Sequence, residues 1–223
     1  MRKELHPKGL EVVTIALDTE GLAAARYFIE RAEPEHPSLV DQSHLMDELF
    51  GVVNVPSGIW IDEEGMIVRP PEPAFPEKIG FRVPAGAADL DPYIAGMLEE
   101  TKRIRRDDRY VMALRDWVEN GGESRYALTP DEVVERSRPR PPDVGLAAAH
   151  FELGQHLWRE GKRDDAIRHL REAHRLQPDN WTYKRQAWSF VNPVQAPSAE
   201  FEGDWLGDVR KIGAENYYPE LDL

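Results

Sequence analysis

Cysteine is absent from the 223 residues, and that absence removes disulfides, thiolate metal ligands and thiol nucleophiles from the chemistry open to the chain. Long apolar runs are missing too. No stretch approaches the ~20 consecutive apolar residues that cross a bilayer. The opening Met1-Arg2-Lys3-Glu4-Leu5-His6 lacks the apolar centre of a secretory signal, so the expected location is the cytoplasm. Excess positive charge is also lacking: 28 Lys and Arg stand against 41 Asp and Glu, a formal net charge of -13. A field of that sign repels phosphate backbones and anionic lipid, so neither nucleic acid nor membrane is an expected partner. The one dense basic stretch, Lys102-Arg103-Ile104-Arg105-Arg106, lies between Glu99-Glu100 and Asp107-Asp108 and reads as a solvated helix face.

What is present is an ordinary globular balance, 41% hydrophobic and 31% charged, enough for one or two domains with a real core. The β-branched run Glu11 to Leu17, after Gly9 and closed by Asp18, predicts a buried parallel strand. Leu22, Ala25, Tyr27, Phe28 and Ala32 keep helical spacing until Pro34 and Pro37 stop it. Ser38 to Asp41 reads as extended, and Ser43 is the expected cap of a helix through Phe50 that Gly51 ends. Ser57 to Asp62 and Met66 to Arg69, joined by Glu63-Glu64-Gly65, predict a hairpin whose pairing Pro70, Pro71 and Pro73 should end. An aperiodic, proline-rich loop from Pro70 to Pro84 follows. One long helix is then expected from Asp89 or Asp91 to about Val118, with Tyr93, Met97, Ile104, Tyr110, Leu114 and Trp117 on its apolar side, ended by Gly121-Gly122. A short helix from Thr129-Pro130-Asp131 to Ser137 precedes a second break, Pro139 to Pro142.

Between Ala147 and Asn180, Leu153-Gly154, Leu157, Gly161, Ala166, Leu170, Ala173 and Pro178 stand where the 34-residue tetratricopeptide (TPR) repeat places its packing residues. The physical reading agrees: Gly154 and Ala166 let two antiparallel helices approach, Gly161 turns the chain, and Pro178 stops the second helix. About three repeats are needed for an independent solenoid, and one is visible. Packing inside the chain is therefore the first role expected of this pair, and binding a protein partner the second. Trp181 to Phe190 is expected to cap it.

The stretch from Gly9 to Arg69 reads LEVVTIALD and later FGVVNVPSGIWIDEEGMIV. In Asp18, Gly51, Val55-Pro56, Ile61-Asp62 and Gly65 it resembles the ResA/TlpA branch of the thioredoxin-like superfamily, in the wider redoxin (AhpC/TSA) group. The resemblance implies an α/β fold, here an incomplete thioredoxin-like sheet domain followed by an all-α TPR-like region. It also implies a cis peptide before Pro56, and Val55, Pro56 and Trp60 beside the substrate. Asp18 is expected to turn the chain. In that family the redox residue opens the helix preceding the Glu11 strand, where backbone N–H groups and the helix dipole stabilise a thiolate. Arg2 to Leu10 resembles only the tail of that helix. The segments GLEVVTIALD, HPSLVDQ and NVPSGIWIDEEG are similar to ResA-like proteins carrying a WAxxUGSxxW selenocysteine motif. The expectation is thus an N-terminally truncated chain whose upstream strand and reactive turn lie before Met1.

The implied divisions are 1–84 for that domain, 85–142 for a helical connector, 143–192 for the TPR-like pair with its cap, and 193–223 for a C-terminal extension. The intact form would be a thiol/selenol-disulfide oxidoreductase or peroxide reductase, acting on a protein disulfide or peroxide; the alternative is a non-catalytic adaptor that binds proteins. No catalytic residue, cofactor-binding residue or metal ligand is assigned, and no cofactor is expected. His150, His156, His169 and His174 include no pair at i, i+4 spacing.

Overall fold

The computed structural model describes residues 1–75, 91–137 and 140–223. The loop beyond Phe75, the division at 84/85, the alternative helix start at Asp89 and the break residue Pro139 lie outside the described residues. Elements run in the order α1 (Arg2–Leu5), β1 (Thr14–Leu17), α2 (Leu22–Ala32), β2 (Ser38–Asp41), α3 (Leu45–Phe50), β3 (Ser57–Ile61) and β4 (Ile67–Pro73). Helices follow: α4 (Pro92–Arg103), α5 (Arg109–Asn120), α6 (Pro130–Arg136), α7 (Pro142–Arg159), α8 (Arg163–Leu176), α9 (Trp181–Val191) and α10 (Trp205–Ile212). The architecture is mainly helical with small sheets and a helical C-terminal region.

The strands form two separate pairs. β1 and β2 are parallel, with Thr14 opposite Ser38 and Leu17 opposite Asp41. β3 and β4 are antiparallel, with Ser57 opposite Pro73 and Trp60 opposite Arg69. Among the described residues each strand therefore has a neighbour on one side only. β1 is shorter than the seven-residue apolar run suggests, and Val13 beside it is 52% exposed.

Three local expectations are corrected. The prolines do not end the hairpin: β4 runs through Pro70, Pro71 and Pro73. The register shifts between Gly58 and Trp60, so Pro70 and Pro71 fall in an irregularity where no ladder N–H is required. Asp41, rather than Ser43, starts α3. Its Oδ2 accepts from the Met46 N–H at 2.7 Å, and its Oδ1 accepts from Ser43. The single helix expected through Val118 is two, because Ile104 turns extended (ψ 127°) and the Asp107 carboxylate accepts the Arg109 N–H at 3.0 Å, starting a new helix. The short helix α6 opens as its sequence suggests, on a reciprocal capping box between Thr129 and Glu132.

Two hydrophobic clusters hold the chain. The larger joins Ala147, Phe151, Leu170 and Ala173 of α7 and α8 to Trp181, Tyr183 and Trp188 of α9, and then to Trp205, Leu206, Val209, Tyr217 and Tyr218. The smaller joins Leu5, Trp60 and Ala74 to Tyr110, Ala113 and Leu114 of α5 and to Leu221. α4 packs on α10, where Gly96 leaves no room for a Cβ beside Leu206. The last thirty residues thus serve both clusters.

Candidate functional site

The α7–α8 pair is built by a close approach. A Cβ on Gly154 would lie 2.8 Å from the Leu170 side chain, and Leu170, Ala166 and Ala173 are fully buried. Gly161 takes φ +75° to reverse the chain between the helices. α9 covers one flank, with Tyr183 stacked on Phe151 at 4.1 Å. α7 then presents two faces. Phe151 and Gln155 turn inward, while Leu146 and Leu153 stay exposed, 48% and 41%, with half-buried His150 between them at i+4 from Leu146.

The inward face meets the β1–β2 half through a buried polar seam. The Thr19 N–H donates to Gln186 Oε1 (3.1 Å) and the Thr19 hydroxyl donates to Gln155 Oε1 (2.5 Å). His44 Nε2 lies 3.1 Å from the same Gln186 oxygen, and His44 Nδ1 lies 3.1 Å from Asp47 Oδ2. A backbone N–H can only donate, which identifies the Gln186 atom as oxygen, so His44 Nε2 carries a proton. One further proton lies between His44 Nδ1 and Asp47 Oδ2. His44 itself sits at φ 57°, ψ 33°, a left-handed conformation uncommon outside glycine, and its ring packs edge-on against Phe151 at 5.1 Å. Asp47 Oδ1 is buried with no hydrogen-bond partner.

Val55, Pro56 and Trp60 fall in one stretch that the rest of the chain already occupies. The Val55–Pro56 peptide is cis. Val53 O accepts the first two N–H groups of α9, from Trp181 (2.7 Å) and Thr182 (3.2 Å). The Val55 N–H donates to Asn54 Oδ1, and Val55 O accepts the Tyr218 hydroxyl at 2.6 Å. Both backbone groups of Val55 are therefore satisfied within the molecule. Trp60 is 3% exposed; its indole N–H donates to the Tyr110 hydroxyl (3.1 Å) and its ring stacks on Trp117 at 5.1 Å. Burial pushes the Tyr110 hydroxyl pKa up, leaving it a neutral partner. Asp18 accepts the Glu20 N–H at 2.9 Å, closing the turn before α2.

A cleft of about 560 Å³ lies where α3, β4, the end of α6 and the start of α9 converge; Asp47, Glu48, Arg69, Arg140, Asn180 and Tyr183 are among the residues lining it. Its charges are largely spent on one another. Arg69 grips Glu72 (2.7 Å) and the carbonyls of Tyr126 and Asp222, and Arg140 pairs with Glu48 at 2.8 Å. Tyr183 donates to Glu48 at 3.2 Å; burial first, then the Glu48 and Asp47 carboxylates, raise its pKa.

The histidines divide sharply. His174 is enclosed by Trp188, Phe201 and the Tyr183 carbonyl, and burial lowers its pKa from 6.5 to about 4, so it is neutral at physiological pH. His150 of α7 and His169 of α8 face each other with Nδ1 atoms 2.8 Å apart. A search for i, i+4 spacing along one helix passes over this pair, because its members come from two helices; their places on facing sides of the repeat were the available signal. No group of three or more His, Asp or Glu able to hold a metal forms among the described residues, and no described helix is long and apolar enough to cross a membrane.

Residues 147–180 match the tetratricopeptide repeat family. No curated protein matches the chain at this level, and no solved structure does.

Proposed function

We propose that this chain is a protein-interaction adaptor whose TPR hairpin presents α7 to a protein partner. The observation that carries this reading is the repeat at 147–180 together with the division of α7 into a face spent inside the molecule, Phe151 and Gln155, and an outward row of Leu146 and Leu153. In repeat arrays such a row is covered by the next helix. Protein binding is a common use of this repeat, and a partner helix or extended segment with apolar side chains suits the row. The test is a photoreactive residue at position 153 in the producing cell, with one at exposed Lys211 as control. A discrete protein adduct from position 153, lost on Leu146→Glu, supports the reading; equal labelling from both positions overturns it.

A second reading is favoured by the strand pairing. β1 and β3 each have one bonded neighbour among the described residues, which leaves two edges that one further strand could join. In this reading the chain carries part of a thioredoxin-like domain, residues 1–84, of a selenol- or thiol-dependent oxidoreductase. The reactive chalcogen comes from a segment preceding Met1, and Val55, Pro56 and Trp60 lie on the substrate side. Val55 would then have to exchange its Tyr218 bond for substrate. Native mass determination together with the upstream reading frame decides it: a longer product with an upstream Cys or in-frame UGA supports the enzyme, and translation starting at Met1 leaves the adaptor.

A further inference from the structure

We propose that His150 and His169 form a site for a late first-row divalent metal ion, Cu²⁺ before Ni²⁺ and Zn²⁺, bound through their two Nδ1 atoms. The ring centroids are 5.0 Å apart and the Nδ1 atoms 2.8 Å apart, so the rings meet edge to edge with both Nδ1 atoms between them. At that distance one nitrogen must donate and the other accept, because two lone pairs or two N–H groups would repel. The pair as it stands holds a single shared proton.

A metal can take that proton's place. Metal–imidazole bonds of ~2.05 Å set the two nitrogens ~2.9 Å apart at a right angle and ~3.3 Å apart at a tetrahedral angle. The observed 2.8 Å is close to the right-angle value, which suits adjacent positions of a tetragonal Cu²⁺ or Ni²⁺ ion; Zn²⁺ needs the rings to part by about half an ångström. The ion sits to one side of the line joining the nitrogens, so each ring turns by roughly 45° to aim its lone pair at it, while α7 and α8 stay fixed by the Gly154–Leu170 contact. The rest of the coordination sphere is water. Both Nδ1 atoms bind as lone pairs, so in the neutral pair the ring that held the shared proton on Nδ1 carries one on Nε2 instead, a change of tautomer that leaves the proton count unchanged as the ion enters.

One carboxylate is near enough to contribute. Glu172 lies one turn beyond His169 on α8, and the Arg175 guanidinium beside it lowers its pKa. Arg175 now holds Glu172 at 2.9 Å and 2.5 Å. Glu172 therefore acts from the outer sphere, adding negative charge and a hydrogen bond to metal-bound water. The site is independent of the protein-partner reading, although it lies on the α7 row flanked by Leu146 and Leu153.

The experiment uses the full chain without a histidine tag, stripped with EDTA. Titration with Cu²⁺, Ni²⁺ and Zn²⁺ salts is followed by calorimetry, and the Cu²⁺ form by electron paramagnetic resonance. One equivalent of Cu²⁺ should bind in the micromolar range, with a hyperfine pattern from two nitrogens. His150→Ala or His169→Ala should leave one nitrogen and weaken binding about tenfold or more, whereas exposed His6→Ala and half-buried His36→Ala should leave it unchanged. Glu172→Gln should weaken it by about threefold. Circular dichroism confirms that each variant folds. An unchanged copper spectrum and affinity in the His150→Ala/His169→Ala double variant, or no binding by the wild type, would overturn the assignment.

Discussion

The two halves of this molecule spend their apolar residues differently. From Val13 to Met66, the strands and helices leave large side chains in water: Phe28 is 71% exposed, Leu49 65%, Tyr27 60% and Leu39 52%. From Ala147 to Tyr218 the same kinds of residue are almost all enclosed, with Trp188 at 1% and Leu170 at 0%. Amphipathic helices can close a core by pairing along their lengths. A two-stranded sheet cannot, because each face and each open edge needs another layer. The N-terminal half is accordingly held by hydrogen bonds to its neighbour, through Thr19, His44, Val53 and Val55, more than by a core of its own.

That contrast can be broken from either side. Trp188→Ala should cost about 3–5 kcal/mol by urea denaturation, since it empties the centre of the larger cluster; a loss below 1 kcal/mol would mean that this half is as loosely packed as the other. A pH titration of stability comes next. Unfolded His174 takes up a proton near its ordinary pKa of 6.5, while folded His174 resists until about 4. The unfolded state therefore binds more protons between those values, and stability falls as pH drops through that window, by up to about 3 kcal/mol. His174→Phe should remove that part of the slope.

The seam between the halves offers a sharper test. Gln186→Leu leaves the Thr19 N–H and the His44 Nε2 proton without their acceptor, at a cost of about 2 kcal/mol. Amide exchange should then quicken at Thr19 and in β1 and β2 while α8 stays protected; uniform quickening would show that the halves unfold as one unit. The smallest effect belongs to α2, where Phe28→Ser should change stability by less than about 0.5 kcal/mol. A loss of 2 kcal/mol there would mean that the exposed row is covered in solution.

How much could be read in advance followed the range of the interactions. The α7–α8 pair was legible because Gly154, Ala166, Leu170 and Gly161 act on residues within one 34-residue unit. The capping box of α6 and the β3–β4 turn were legible for the same reason. The split between α4 and α5 was not, because Ile104 fits the helical apolar pattern and only the Asp107 bond to Arg109 shows the break. The prolines of β4 were misread because a proline ends pairing only where its missing N–H is needed. The seam was beyond reach altogether: Thr19, His44, Gln155 and Gln186 are ordinary polar residues spread over 168 positions of sequence, and only folding makes them neighbours. The His150–His169 pair lies between these cases, nineteen residues apart on adjacent helices.

The bonds from Val53 to Trp181 and from Val55 to Tyr218 also set an order of events during synthesis. A ribosome delivers the strands first and their acceptors' partners more than a hundred residues later. At ~5–20 residues per second the early half waits several seconds or longer with unpaired edges and bare leucines. During that interval it is a substrate for chaperones rather than a finished domain. Its lasting shape is conferred by the last helices to emerge, so a ribosome stalled before codon 181 would leave an aggregation-prone product instead of a smaller working one.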